Sequence, residues 1–217
     1  MSNYNKVVLQ RNKLLKELYL HPDYREVLDV LDMQLVQYGS ALIHRRQTFA
    51  EELGKIVHRI HSQLSGGQEE MELKYEPNVT VDAFAQMLFA NRERDMRLKT
   101  TATGPHRDDI SFVVNGVDSR KFGSQGQQRT AALSLKLSEI ELVKRLIGDT
   151  PVLLLDDVLS ELDSGRQNYL LNSIENIQTL ITCTGLDEFV NHRFSINRIY
   201  KVTDGSVTVE NKQEADR

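Results

Sequence analysis

The chain is 217 residues long, 40% hydrophobic and 27% charged, with 12 Gly and 4 Pro; this is a globular composition, not a collagen-like or disordered one. Its single cysteine, Cys183, excludes an intrachain disulfide and a Cys-based zinc site, and fits a reducing, cytoplasmic compartment. A net charge of −4 gives no bulk signal for nucleic acid, so any such contact must come from a local patch. Residues 1–16 are polar, without the apolar core of a signal peptide, and the longest apolar run, Val152–Leu155, is too short to span a membrane.

In chain order, Val7, Val8, Leu14, Leu15 and Leu18 predict a first helix over 7–20. From Asp23 onward, Leu28, Leu31, Leu35, Tyr38, Leu42, Phe49, Leu53, Ile56, Ile60 and Leu64 recur at mostly helical steps and form one narrow stripe. Asp23 with Glu26 suits a helix-capping pair after Pro22, and Gly39 and Gly54 suggest bends or close contacts. The two helices predict an antiparallel arm over residues 1–65, with a lobe over 66–217. Within that lobe Met71–Tyr75 alternates like a strand, a helix is expected over 81–98, and Ile110, Phe112 and Val114 alternate up to the hairpin turn Asn115-Gly116. A helix (127–147), a strand (152–155), a helix (167–177) and a strand (180–184) follow. A hairpin then turns at Asp204-Gly205, and the tail after Glu210 has a disordered composition. Strands alternating with helices predict an α/β fold with parallel central strands.

The strongest chemical signal is Pro151-Val-Leu-Leu-Leu-Asp156-Asp157, an apolar strand ending in two carboxylates at the edge where open α/β sheets place ligands. In P-loop NTPases the first such acid helps hold Mg²⁺ and the second orients or deprotonates the attacking water. The bland alternative is a buried strand followed by two turn-capping acids. Ser160-Glu161-Leu162-Asp163 then opens the next helix. Upstream, Gly123-Ser124-Gln125-Gly126-Gln127 runs straight into an amphipathic helix, an arrangement that offers N–H groups, a hydroxyl and a positive dipole end to a phosphate. This order of elements is that of ABC-type ATPases, whose signature turn acts across a dimer. Leu64-Ser65-Gly66-Gly67-Gln68 also spells such a signature, but it leads into a strand and reads as a hairpin loop. The phosphate-wrapping pattern G-x-x-x-x-G-K-[ST] is absent, and Gly54-Lys55 lies inside the arm. The chain therefore carries half an ATP site, or none.

Several stretches together resemble the C-terminal portion of the RecF family, bacterial DNA replication and repair ATPases of the ABC/SMC type. They are Leu9–Lys16, Gly104–Asp109, Gly123–Thr130, Leu153–Asp163 and Gln178–Phe189. The resemblance implies a P-loop NTPase C-terminal lobe with a helical arm, and an N-terminal lobe carrying the Walker A loop outside this sequence. It implies Asp156 as a Mg²⁺ ligand and Asp157 as general base of a slow ATPase. Ser124, Gln125, Gly126 and Gln127 would meet the partner subunit's ATP, Ser160 and Asp163 would lie at the dimer interface, and Thr184 would stand where transporters carry a switch histidine. ATP and Mg²⁺ would both need the N-terminal lobe. The implied function is an ATP-dependent homodimeric clamp on DNA at gaps, acting with RecR and RecO in recombinational repair, replication and the SOS response.

Arg92, Arg94, Arg97, Lys99 and Arg107 are candidate DNA contacts, although Glu93 and Asp95 interleave with them as on a solvated helix face. His106 and Arg107 beside Asp108 and Asp109 would equally make a structural salt-bridge corner. His58 and His61, three apart on the arm, read as surface residues. Two rival functions remain: a non-enzymatic protein-interaction or DNA-binding module, and a metal-dependent nuclease using Asp156 and Asp157. Adjacent residues of a strand point to opposite faces, which disfavours the nuclease unless the strand has ended.

Overall fold

A computed structural model of the chain describes residues 2–18, 22–184 and 196–210; the expectation for the tail after Glu210 falls outside these, as do residues 185–189 of the last resembling stretch. The fold divides into two compact units, Met1–Leu142 and Val143–Arg217, with the boundary inside a helix rather than at the end of the arm. In the first unit, α1 (Ser2–Glu17) packs on α2, a single uninterrupted helix of 40 residues (Arg25–Leu64). The expected Asp23–Glu26 cap does not form. Pro22–Tyr24 is a 3-10 turn that absorbs Asp23, and the N-cap, Tyr24, makes no side-chain cap bond.

The buried side chains of α2 run from Leu28 to Leu64, so most of the stripe is covered, but Tyr38 and Phe49, expected on it, are exposed. Near the start, Leu28 meets Leu14 and Leu15 of α1 and Leu18 just after it. Farther along, Leu35 and Ile43 join Tyr4, Val7, Val79, Phe84 and Leu88. Gly39 is a close-approach point, because a Cβ there would strike the Phe84 ring. Beyond it β1 (Met71–Glu76) crosses α2, with Leu73 over Gly54. The arm therefore shares its core with the segment that follows it, and this is why the first unit extends well past residue 65.

The helix expected over 81–98 is two short helices, α3 (Phe84–Ala90) and α4 (Arg92–Leu98). They are divided at Asn91, whose side-chain amide donates to the Met87 carbonyl at 3.0 Å and to Thr103 Oγ1 at 2.9 Å. A short polar side chain that bonds the backbone competes with the helix. Strands β2 (Asp109–Val114) and β3 (Val117–Asp118) complete an antiparallel sheet in the order β1-β2-β3, with Met71 opposite Val114. Their turn is Asn115-Gly116, with φ of 49° and 82°, the doubly left-handed geometry that this dipeptide tolerates. A four-residue helix, α5 (Ser119–Phe122), leads to α6 (Gln125–Ile147), which crosses the unit boundary.

A buried ion network ties the first unit together. Arg11 is 0% exposed. It donates to Asp32 at 2.6 Å, Asp95 at 2.7 Å and Thr101 Oγ1 at 2.9 Å, and Arg92 bonds the other oxygen of Asp32 at 2.7 Å. The Thr101–Asp108 loop is pinned beside it. Tyr4 donates to His106 Nδ1 at 2.8 Å, His106 Nε2 donates to the Thr101 carbonyl at 2.9 Å, and Asp108 accepts from Arg46 at 2.8 Å and from the Asn78 amide at 2.9 Å. A structural corner thus forms around His106, but its ion pair is Arg46–Asp108, and Asp109 pairs with Arg120, rather than the expected pairing of His106 and Arg107 with Asp108 and Asp109.

In the second unit, β4 (Leu153–Asp156), α7 (Ser164–Ser173) and β5 (Thr179–Thr182) form a β-α-β unit whose strands pair in parallel, Leu154 beside Leu180 and Asp156 beside Thr182. Leu154 and Leu180 are 71% and 55% exposed on the same face. Parallel sheets are normally buried on both faces. A final hairpin, β6 (Ile199–Thr203) and β7 (Ser206–Glu210), turns at Asp204-Gly205 as its sequence predicts.

Candidate functional site

The signature-type turn is built by a reciprocal cap. Ser124 Oγ accepts from the Gln127 amide at 3.2 Å, while Gln127 Oε1 accepts from the Ser124 amide at 3.0 Å, the capping-box exchange with Gln in the acidic position. The Ser124 hydroxyl keeps its own proton to donate. The amides of Gln125 and Gly126 lie in the first turn, where a helix supplies no carbonyl partner, and Ser124, Gln125 and Gly126 are exposed. Gly123 is required for a steric reason, since a Cβ there would collide with the Ser119 carbonyl. The 23 residues of α6 put the positive end of a long helix dipole behind this turn.

The other signature-like string lies at the opposite kind of helix end. Leu64 is the last residue of α2, and Ser65, Gly66 and Gly67 form its C-terminal turn, the glycines at φ of 63° and 79°. Carbonyls and the negative dipole end point that way, which disfavours a phosphate. The loop leads into a strand as expected, but it joins helix α2 to β1 and is not a hairpin loop. His61, one turn earlier, is not a surface residue: its side chain is fully buried, whereas His58 is exposed. The arm stripe hid this, because what covers His61 comes from Glu69 and Ser134.

At the end of β4 the strand stops at Asp156, and Asp157 takes φ 51°, so the strict up-down alternation of two strand residues no longer applies to the pair. The Asp156 carboxylate accepts a short hydrogen bond from the Thr182 hydroxyl, which in turn accepts from the Asp157 amide at 3.1 Å. Thr182 is a contact the sequence reading overlooked. Once β4 and β5 are paired in parallel, it stands directly beside Asp156, whereas Thr184 lies beyond the strand and is exposed. Ser160 Oγ donates to the Asp157 carbonyl at 2.8 Å. Asp163 caps α7 by accepting from the Gly165 and Arg166 amides, both at 3.1 Å, and pairs with the Arg166 guanidinium at 2.8 Å. The Arg166 amide bond first, then the Arg166 charge, holds the Asp163 carboxyl below its ordinary value. Among the described residues no three His, Cys, Asp or Glu side chains gather into a metal-binding group.

The basic cluster divides. Arg92 is taken up by ion pairs to Asp29 and Asp32, both 2.7 Å or shorter, and stacks 4.8 Å over the Phe89 ring. Arg94, Arg97, Lys99 and Arg107 are exposed. The network that folds the arm base thus occupies one of the candidate DNA contacts. No described helix is long and apolar enough to cross a membrane.

No family model matches the chain. It is 58% identical over 211 residues to the DNA replication and repair protein RecF of Lachnospira eligens, which covers 96% of this chain and 58% of the relative. It is 57% identical over 209 residues to that of Agathobacter rectalis, with the same coverage. A solved structure of the recombination mediator protein RecF-ATP in the RecFOR pathway superposes with a TM-score of 0.83 at 34% identity, over 96% of this chain and 57% of that one. The chain thus spans a little under three-fifths of the length of these relatives. Its mixed α/β architecture, with a parallel strand pair and a helical arm, is that of the C-terminal lobe of an ABC/SMC-type P-loop ATPase. By sequence and by fold, the chain matches the C-terminal portion of RecF proteins.

Proposed function

We propose that this chain supplies the signature and Walker B half of an ATP-dependent DNA clamp of replication and recombinational repair. Residues 1–65 serve as its arm and 66–217 as the C-terminal ATPase lobe. The reading is supported above all by the capped turn at Ser124, which leaves a hydroxyl proton and two first-turn amides exposed at the positive end of a long helix. In a dimer, Ser124, Gln125 and Gly126 would hold the γ-phosphate of the ATP bound by the partner subunit, while Gln127 braces the turn. Nucleotide contacts to both subunits exist only when the dimer is closed, so ATP selects the closed state.

Asp156 and the neighbouring Thr182 hydroxyl offer hard oxygen donors, a set that fits Mg²⁺, which commonly takes one or two carboxylates and completes its shell with water and phosphate. When bound, Mg²⁺ would supply charge neutralisation on the phosphates. Asp157 would orient and deprotonate the attacking water; its carboxylate is one methylene shorter than the Glu common in the wider ABC group, which suits slow turnover. Ser160 braces the Asp157 carbonyl, Asp163 shapes the interface turn as a helix cap, and Thr184 stands at the switch position. Arg94, Arg97, Lys99 and Arg107 would meet the DNA backbone at gaps. RecR and RecO as partners, a cytoplasmic setting and a role in the SOS response complete the reading.

The test is Mg-ATP binding by titration calorimetry, with the chain alone and with a separately made RecF N-terminal lobe. Binding only when both are present supports a half-site. No binding in either case, with both lobes folded, favours the interaction or DNA-binding module.

A further inference from the structure

The loop that spells a signature without being one leads to the turn that acts as one. Glu69 follows the Ser65–Gln68 turn at the end of α2, and its two carboxylate oxygens face different elements. One accepts from the Gln127 side-chain amide at 3.0 Å, and the other lies 3.2 Å from His61 Nε2. Gln127 is the residue whose remaining amide oxygen holds the Ser124 amide. On the far side of the imidazole, His61 Nδ1 is 3.0 Å from Ser134 Oγ, and the Ser134 hydroxyl donates its proton to the Thr130 carbonyl at 2.7 Å. Ser134 is therefore placed to accept from Nδ1–H, and Nε2 faces the Glu69 carboxyl. Arg59, also on α2, pairs with Glu141 farther along α6.

We propose that Glu69 is a positioning residue of the signature turn: through Gln127 it braces the Ser124 cap, and through His61 it fastens that cap to the last turn of the arm helix. The exposed turn that meets ATP and the arm that precedes it are thereby one mechanical piece. A polar link of this kind is specific because each group in it has one arrangement that satisfies both of its neighbours. A buried His61 needs such a partner, since a polar group left unpaired away from water is costly. The functional importance of the link rests on the reading of Ser124 as the ATP-facing turn; the link itself does not.

The test compares Glu69→Ala with Glu69→Gln in this chain. Glutamine conserves the link, its oxygen accepting from Gln127 and its NH2 donating to His61. Hydrogen–deuterium exchange at the Ser124 and Gln127 amides should quicken about five- to tenfold in E69A, the effect of loosening one intramolecular hydrogen bond, and return to the wild-type rate in E69Q. Adding Gln127→Ala to E69A should cause no further change beyond Q127A alone, with amides of α1 as the internal reference that removes any global weakening of E69A. Unchanged exchange in E69A, or additive effects in the double variant, would overturn the proposal.

With a P-loop lobe supplied, E69A should raise the KM for ATP while E69Q does not. Ser124→Arg is the control for the underlying reading. If S124R leaves ATP-driven association intact, that reading fails even when the exchange result holds. If S124R abolishes association while E69A matches wild type in both assays, the fault lies with Glu69.

Discussion

The two units of this chain close themselves off in opposite ways. In the first, one apolar face of α2 from Leu28 onward packs against α1, α3 and β1, and the buried Arg11 is paired with Asp32 and Asp95. In the second, a two-stranded parallel pair shows Leu154 and Leu180 to solvent on one face. Two strands are too few for an independently stable sheet. The first unit is built to hold a shape by itself; the second presents a face that further strands or helices would cover.

The largest effect should come from the ion network. Replacing Arg11 with Leu leaves the buried Asp95 without its cation and Asp32 with Arg92 alone, and should cost about 3–5 kcal/mol, measured by urea unfolding. Exchange protection should fall in α1, α2 and α4 and hold in β4 and β5; an equal fall in both units would break the contrast. Next, Gly104→Ala should cost about 1–3 kcal/mol, because Gly104 sits at φ 132° and a Cβ would collide with the Tyr4 hydroxyl. A neutral thermal melt would refute the packing described for that loop.

A smaller, pH-dependent effect belongs to His106. Burial, the largest cause, holds its imidazole below the ordinary value of 6.5, so the unfolded chain binds this proton more readily than the folded one. Its contribution is complete above that ordinary value and is lost as pH falls through it toward the folded-state value. Urea midpoints between pH 8 and 5 should therefore drop more steeply in the wild type than in His106→Asn. Parallel curves would show that the ring is not held neutral. Smallest of all, Leu154→Ser and Leu180→Ser should each change the stability of this chain by no more than about 0.5 kcal/mol while lowering hydrophobic-dye binding. Leu155→Ala, on the buried side, should cost about 2–5 kcal/mol. Equal penalties on both sides would mean that the leucine face is already covered.

Local features were legible along the chain. Asn115-Gly116 and Asp204-Gly205 each turn a hairpin, because only a few residue types tolerate consecutive positive φ values. Asp163 caps a helix, and the Ser124 turn feeds one, because cap chemistry acts within three residues. The same local reasoning failed where a distant group decided the outcome. Asn91 broke a periodic helix by reaching Thr103. His61 sat at a surface-like spacing yet was covered by Ser134 and Glu69. Arg92, one cation of a basic run, was claimed by two aspartates from α2.

The amino-acid sequence by itself determined the resemblance to RecF, the order of the long helix, the Ser124 turn and the acidic strand, and the turn types, since these depend on residue identity and short spacing. Tertiary structure alone decided which polar groups are interior, that Thr182 rather than Thr184 touches Asp156, and that Glu69 joins the arm to the signature turn. Those contacts bring together residues far apart in the chain, and their energy exists only after the helices have packed and excluded the water that would otherwise satisfy the same groups.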